Sequence, residues 1–192
     1  MKGIPSGREV GIVNGIDYNE YDPEKDPIIN FRYNVDTVEE GKKQNKLALQ
    51  RKLGLKEDES KFMIGIVSRL TDQKGLDLID CVMEQLCLED TQFVILGTGQ
   101  YKYENMFRYF AAKYPDRVSA NIYYNEILAH EIYSACDTYL MPSLYEPCGL
   151  SQIISMRYGI VPIVRETGGL KDTVEAFDEY EHTGTGFSFA NY

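Results

Sequence analysis

The chain has 192 residues, with 20 Lys plus Arg against 30 Asp plus Glu and a formal net charge of −10. That length suits one substantial domain spanning residues 1–192. The charge excludes a broad nucleic-acid or anionic-membrane surface but leaves room for a local cluster of donors around one small anionic ligand. No apolar run reaches the length of a membrane span and the first residues lack a hydrophobic signal core, so no membrane partner and a cytoplasmic location are expected. Cys81, Cys87, Cys136 and Cys148, with His130 and His182, fall at no metal-ligand spacing, so buried free thiols and no metal are the expectation.

Residues 10–14 (VGIVN) form a short β-branched run closed by Asn14, Gly15, Ile16 and Asp17, which predicts a strand and a turn. Residues 18–33 carry Pro23, Pro27 and mixed charges and read as a surface loop. Asp36 with Glu39 makes a capping-box-like start and Gly54 a stop, so residues 37–53 should be helical. That helix is expected to pack through Val38, Leu47, Leu49 and Leu53, leaving Lys42, Lys43, Lys46, Arg51 and Lys52 in water.

From Phe62 strand and helix alternate. FMIGIVSR (62–69) is nearly continuously apolar, as a strand buried on both faces of a parallel sheet requires. Leu76, Ile79, Val82, Met83 and Leu86 follow at helical spacing, then the strand QFVILG (92–97) and a helix marked by Met106, Phe107, Phe110 and Ala111. VSANIYY (118–124), a short helix through Leu128 and Ile132, and DTYLMP (137–142) continue the series. A helix over 150–158, the strand IVPIVR (160–165), a last helix over 170–177 and one more strand within 184–191 complete it. The pattern predicts an α/β, doubly wound parallel sheet, in which ligands sit beyond the carboxyl ends of the strands.

The turns at those ends are the places to search. Residues 68–75 (SRLTDQKG) bring Arg69 and Lys74 to the mouth of the sheet, where a guanidinium and an ammonium suit a diphosphate; two solvated surface cations are the plainer alternative. GTGQYK (97–102) has only G-x-G, so it reads as a tight βα turn rather than a dinucleotide fingerprint. Tyr124 closes a strand and could present its ring to a base. Glu146 precedes Pro147, Cys148, Gly149, Leu150 and Ser151, a carboxylate beside a helix start whose first amides can face an anion. It is placed either as a helix-dipole partner or as an acceptor for sugar hydroxyls. Thr167, Gly168 and Gly169 repeat that arrangement one βα unit later.

Four strings in this order, N-G-I-D at 14–17, S-R-L-T-x-Q-K-G-L-D-L at 68–78, P-S-x-x-E-P-C-G-L-S-Q at 142–152 and R-E-T-G-G-L-x-D-T-V at 165–174, resemble bacterial glycogen synthases and plant starch synthases. The resemblance implies the Rossmann-like, carboxy-terminal half of a GT-B architecture. It implies a retaining, metal-independent enzyme without cofactor that moves glucose from ADP-glucose to the 4-hydroxyl at the non-reducing end of an α-1,4-glucan. By the same resemblance, Arg69 and Lys74 grip the donor diphosphate and stabilise departing ADP, and Glu146 holds hydroxyls of the transferred glucose. Cys148, Gly149 and Leu150 form the turn whose backbone touches that sugar, Ser151 approaches the phosphates, and Tyr124 lies beside the adenine.

Two departures stand beside the match. Related transferases carry a second glutamate eight positions after the first, which binds ribose; here that position is Ile154. The family's Lys-x-Gly-Gly motif and amino-terminal acceptor domain have no counterpart, the nearest string being Glu166, Thr167, Gly168, Gly169. The expectation is a donor-binding domain that binds ADP or ADP-glucose weakly and does not elongate glucan alone, since half a cleft neither positions the acceptor nor excludes water. The alternatives are a GT-B transferase using a UDP-sugar, a stand-alone nucleotide-sugar-binding regulatory module, and a nicotinamide dehydrogenase, which the incomplete glycine pattern disfavours.

Overall fold

The computed structural model describes residues 12–192. Val10 and Gly11 of the expected first strand lie outside the described residues, and residues 12–14 form no strand. The first regular element is helix α1 (Val38–Leu53), followed by β1 (Phe62–Val67), α2 (Leu76–Leu88), β2 (Thr91–Leu96), α3 (Tyr101–Lys113) and β3 (Val118–Asn121). Then come α4 (Glu126–Ala135), β4 (Thr138–Met141), α5 (Ser151–Arg157), β5 (Val161–Arg165), α6 (Gly168–Thr173) and β6 (Phe187–Phe189). All strand pairs are parallel and the order across the sheet is β3-β2-β1-β4-β5-β6. The doubly wound parallel sheet is therefore present, with its change of direction between β1 and β4.

Alternation along the strands builds two cores. Phe93 and Ile95 of β2 point to one face and Val94 and Leu96 to the other, because successive side chains leave opposite faces of a pleated strand. One face is covered by α2 and α3 through Leu76, Ile79, Met83, Phe107 and Phe110. The other is covered by α1, α4, α5 and α6 through Leu49, Leu128, Ile132, Ile154 and Leu170. Gly65 of β1 lets α4 approach closely: a Cβ there would stand 3.0 Å from Ile132 Cγ2 and 3.0 Å from Cys136 Sγ.

Several sequence expectations change. The strands end earlier than expected, β1 at Val67 and β3 at Asn121, since the next residues turn away toward the helices. Helix α6 ends at Thr173, short of the expected 177, where Val174 already has extended backbone angles. No side chain caps α1, so the Asp36 capping box does not form; Gly54 does end the helix, with φ 71°. Lys46 is not in water. It is buried and its ammonium lies 2.6 Å from Asp137 Oδ2 and 3.0 Å from the Lys61 carbonyl, because α1 turns its Gly41, Asn45, Leu49 face inward and the lysine lies on it. Lys42 is half-buried; desolvation pushes its ammonium down to about 8, opposed by the neighbouring Cys136 and Asp137.

Residues 18–33 lack regular structure, but they are not a free surface loop. Asp26, Ile29 and Tyr33 are buried. The Asp26 carboxylate accepts from Tyr158 Oη at 2.5 Å and lies 2.7 Å from His130 Nδ1, and Tyr33 Oη donates to the Tyr158 carbonyl at 2.8 Å. These buried bonds fasten the segment to α4 and to the end of α5. The thiols are free, as expected, yet only Cys87 and Cys136 are buried; Cys81 is exposed and Cys148 half-buried.

Candidate functional site

The turns after β1, β2, β4 and β5 meet at the carboxyl edge of the sheet, and they meet backbone to backbone. After β1 a short 3-10 turn (Asp72–Lys74) leads to Gly75, whose φ is 67° and where a Cβ would lie 1.9 Å from the Pro142 carbonyl oxygen. Leu144 N–H donates to the Gln73 carbonyl at 2.9 Å, and Gln73 Nε2 to the Tyr145 carbonyl at 3.0 Å. The β1 turn is thus clamped onto the β4 turn, across the point where the sheet reverses direction.

That clamp brings Lys74 and Glu146 together. The Lys74 ammonium forms an ion pair with Glu146 Oε2, both side chains being largely buried, at 13% and 10% exposure. Ser143 Oγ adds a bond to the same oxygen at 3.4 Å. Glu146 is therefore not an exposed partner of a helix dipole; it is a largely buried carboxylate held in place between the β1 and β4 turns. Arg69 stands at the same edge, exposed, with no side-chain partner among the described residues. Arg165, at the end of β5, donates from Nη1 to the Leu144 carbonyl at 2.8 Å and so fixes the strand-to-helix connection that carries Glu146.

The second glycine turn supports the first instead of repeating it. Gly169 N–H donates to the Glu146 carbonyl at 3.0 Å, and a Cβ on Gly168 (φ 45°) would lie 2.1 Å from that carbonyl oxygen. One of the amides expected to face a ligand is thereby already bound. Thr167 leads into α6 in an extended conformation without making a side-chain cap. Gly149 has φ 71°, and Gln152 Nε2 donates to the carbonyls of Cys148 and Gly149 at 3.0 Å each, which sets the path of residues 148–151. Leu150, the N-cap residue of α5, makes no side-chain cap. Ser151 is half-buried and Leu150 exposed.

A cleft of about 280 Å³ lies beyond β1, β2 and β3, lined by Arg69, Gly97, Tyr124, Glu126, His130 and Tyr133 among others. Tyr124 stands open on its rim, 87% exposed, while Asn125 caps α4 by accepting from Leu128 N–H at 2.9 Å. The Gly97–Gly99 turn closes the floor. Gly99 N–H is bonded to Glu104 Oε1 at 2.9 Å, so this amide is not free to cradle phosphate, in keeping with a tight turn. Asp72 accepts from Gln100 and from Tyr103 Oη and pairs with Lys102; the bond from Lys102, then those from Gln100 and Tyr103, pull its carboxyl down to about 2.

The structure therefore brings together Arg69, Lys74, Glu146, Cys148, Gly149, Leu150, Ser151, Thr167 and Gly168 at neighbouring turns of one sheet edge, with Tyr124 across the cleft. Ile154 is buried in the core and cannot reach a ligand. Sequence reasoning passed over Ser143, Gln73 and Gln152, whose only signal was membership of the matched strings. It also passed over a group of Glu20, Glu126 and His130, whose ligand atoms lie within 4.8 Å of one another.

The sequence and the fold both have counterparts among known proteins. The family profile of glycosyl transferases group 1 matches residues 48–192. A glycogen synthase of Lachnospira eligens is 69% identical over 182 residues, covering 95% of this chain and 38% of that protein. One from Caldicellulosiruptor saccharolyticus is 54% identical over 195 residues, covering 100% of this chain and 41% of that protein. The catalytic domain of starch synthase IV from Arabidopsis thaliana, solved with ADP and acarbose, superposes with a TM-score of 0.87 at 37% identity, covering 95% of this chain and 38% of that one. The chain thus spans about two fifths of the length of these relatives. No helix among the described residues is long and apolar enough to cross a membrane. With a family profile over most of its length, a Rossmann-like sheet and glycogen and starch synthases as similar proteins, the chain belongs to the glycosyl transferases group 1.

Proposed function

We propose that the chain is the carboxy-terminal, donor-binding domain of a cytoplasmic glycogen synthase of GT-B architecture, which transfers glucose with retention from ADP-glucose to an α-1,4-glucan. The observation that carries this reading is the Lys74–Glu146 pair held at the β1/β4 switch point, at the same sheet edge as Arg69, which is unpaired among the described residues and lines the cleft with Tyr124. The similarity to glycogen synthases and to a starch synthase solved with ADP supports the choice of donor.

In this reading Arg69 and Lys74 supply positive charge where the diphosphate develops negative charge as the glycosidic bond to ADP breaks. Glu146, already fixed by Lys74 and Ser143, accepts hydrogen bonds from glucose hydroxyls, and the backbone of Cys148, Gly149 and Leu150 lines the sugar. Ser151 meets the phosphates, Tyr124 stacks on the adenine, and Thr167 and Gly168 hold the sugar-binding turn in place. The charge neutralisation comes from side chains, so the transfer needs no metal and no cofactor. The glucan would bind through an amino-terminal domain that closes over this edge, and the 192-residue chain alone binds nucleotide without elongating glucan.

Calorimetric titration with ADP and UDP tests the donor. ADP should bind at least about tenfold more tightly, equivalent to about 1.4 kcal/mol, and Arg69→Ala and Lys74→Ala should each abolish binding in a folded chain. Equal affinity for UDP would favour a UDP-sugar transferase, and survival of ADP binding in both variants would remove the diphosphate site from this edge. Incorporation of labelled glucose into glycogen by the chain alone, at the rate of a full-length synthase, would refute its dependence on a second domain.

A further inference from the structure

The cleft wall contains a constellation that the transfer reading does not use. Glu126 and His130 are four residues apart on α4 and so share one face of the helix, and Glu20 reaches them from the segment fastened beneath it. His130 is 2% exposed. Its Nδ1 lies 2.7 Å from Asp26 Oδ2, and the same carboxylate oxygen accepts from Tyr158 Oη at 2.5 Å. A carboxylate can only accept, so Nδ1 carries the proton and the lone pair of the neutral ring is on Nε2. That nitrogen is buried and has no hydrogen-bond partner among the described residues. Tyr21 stacks on the ring at 5.1 Å with an interplanar angle of 18°, which fixes its orientation.

The remaining acceptors converge on the same spot. One ligand atom from each of Glu20, Glu126 and His130 lies within 4.8 Å of the other two, and with Nδ1 bonded to Asp26, Nε2 is the ring nitrogen available to a cation. Two carboxylates and an imidazole lone pair with no donor among them repel one another, and a cation relieves that repulsion. We propose that Glu20, Glu126 and His130 form a divalent-cation site, with Asp26 and Tyr158 orienting the histidine from behind.

The donor set selects the metal. One nitrogen and two carboxylate oxygens match Zn²⁺, which bonds to such atoms at about 2.0–2.2 Å and leaves a fourth position open. Tetrahedral bonds of that length bring donors to about 3.4 Å apart, so the two glutamates must swing inward by about 1 Å while the histidine stays. Glu20 and Glu126 are exposed and can do so; His130 is packed and need not move. The buried Asp26 behind the imidazole has the carboxylate–histidine–metal arrangement that raises ligand basicity. Bound there, the cation links residues 18–33 to α4 and stiffens the wall opposite Arg69. It takes no part in breaking the bond to ADP, and its binding does not depend on the donor assignment.

Zn²⁺ titration of the metal-free chain by calorimetry and thermal melting tests the site without nucleotide. The background variant Cys81→Ser/His182→Gln removes the exposed thiol and the other histidine. In it, one Zn²⁺ should bind per chain, Tm should rise by about 5–10 °C at a hundredfold excess over Kd, and Co²⁺ should give visible absorption without a thiolate band. Glu20→Gln/Glu126→Gln changes only exposed side chains and should weaken binding at least about tenfold with an unchanged near-UV spectrum. Absence of saturable binding up to millimolar Zn²⁺, or equal binding by the glutamine variant, overturns the proposal.

Discussion

Replacing Lys74 by Met separates what the lysine does for folding from what it does for a ligand. Its ammonium and the Glu146 carboxylate are both largely buried, at 13% and 10% side-chain exposure, and Ser143 is the other side-chain donor to that carboxylate among the described residues. For unit charges about 4 Å apart at an effective dielectric of about 20, the attraction is about 4 kcal/mol. Removing one partner of a buried pair leaves the other charge uncompensated and costs about 3–5 kcal/mol. Lys74→Met should therefore lower the urea-unfolding free energy by about 3 kcal/mol, Arg69→Met by less than about 0.5 kcal/mol because Arg69 is exposed and unpaired among the described residues, and both should lose ADP binding. In Lys74→Met/Glu146→Gln the stability loss should shrink, giving a coupling of about 1–3 kcal/mol. Equal stability of the Lys74 and Arg69 variants, or a coupling near zero, would refute a stabilising role for the Lys74–Glu146 pair.

Gly168→Ala puts a Cβ 2.1 Å from the Glu146 carbonyl at a φ of 45°, so it should cost about 1–3 kcal/mol by thermal melting and weaken donor binding together with stability. Tyr124→Ala, at an 87% exposed position, should leave stability within about 0.5 kcal/mol yet weaken ADP binding about fivefold or more by calorimetry. Lys42 gives a pH signature: its ammonium is depressed to about 8 from an ordinary 10.5, so between those values the unfolded chain binds the extra proton and stability rises with pH. The penalty at pH 7 is about 1–3 kcal/mol, reduced from the full shift because the side chain is half-buried. Lys42→Met should flatten the rise measured from about pH 8 to 9.5 by urea unfolding, and an unchanged slope would refute the assignment.

The strands were legible because burial on both faces writes a run such as FMIGIV into the chain, and the helices because Leu76, Ile79 and Met83 recur at the helical period. Element ends were less so: the strand expected to run through Ser68 and Arg69 ends at Val67, the last residue in register with β2. At the site, the residue types and their turns could be read, but not their partners. Nothing local indicates that Lys74 meets Glu146, which lies 72 positions away, or that Lys46 is drawn inward by Asp137, 91 positions away. The burial of Asp26 is likewise invisible, since its partners His130 and Tyr158 lie 104 and 132 positions away. Periodicity reports which face of an element is apolar; it carries no information on which polar groups the topology later brings into contact.

The glycines at 75, 97, 99 and 168 share one circumstance: at each, a side-chain carbon would fall within 2.2 Å of a carbonyl oxygen from a neighbouring turn, namely Pro142, Ser68, Leu70 and Glu146. At these four points the floor under the ligand edge is main chain packed directly on main chain. Such contacts have no rotamers to adjust, so they answer a force on any one turn by moving as a unit. Under the proposed function, altered donor preference would therefore come from side chains standing around these contacts, such as Tyr124 and Glu126, because the contacts themselves offer mutation nothing to resize.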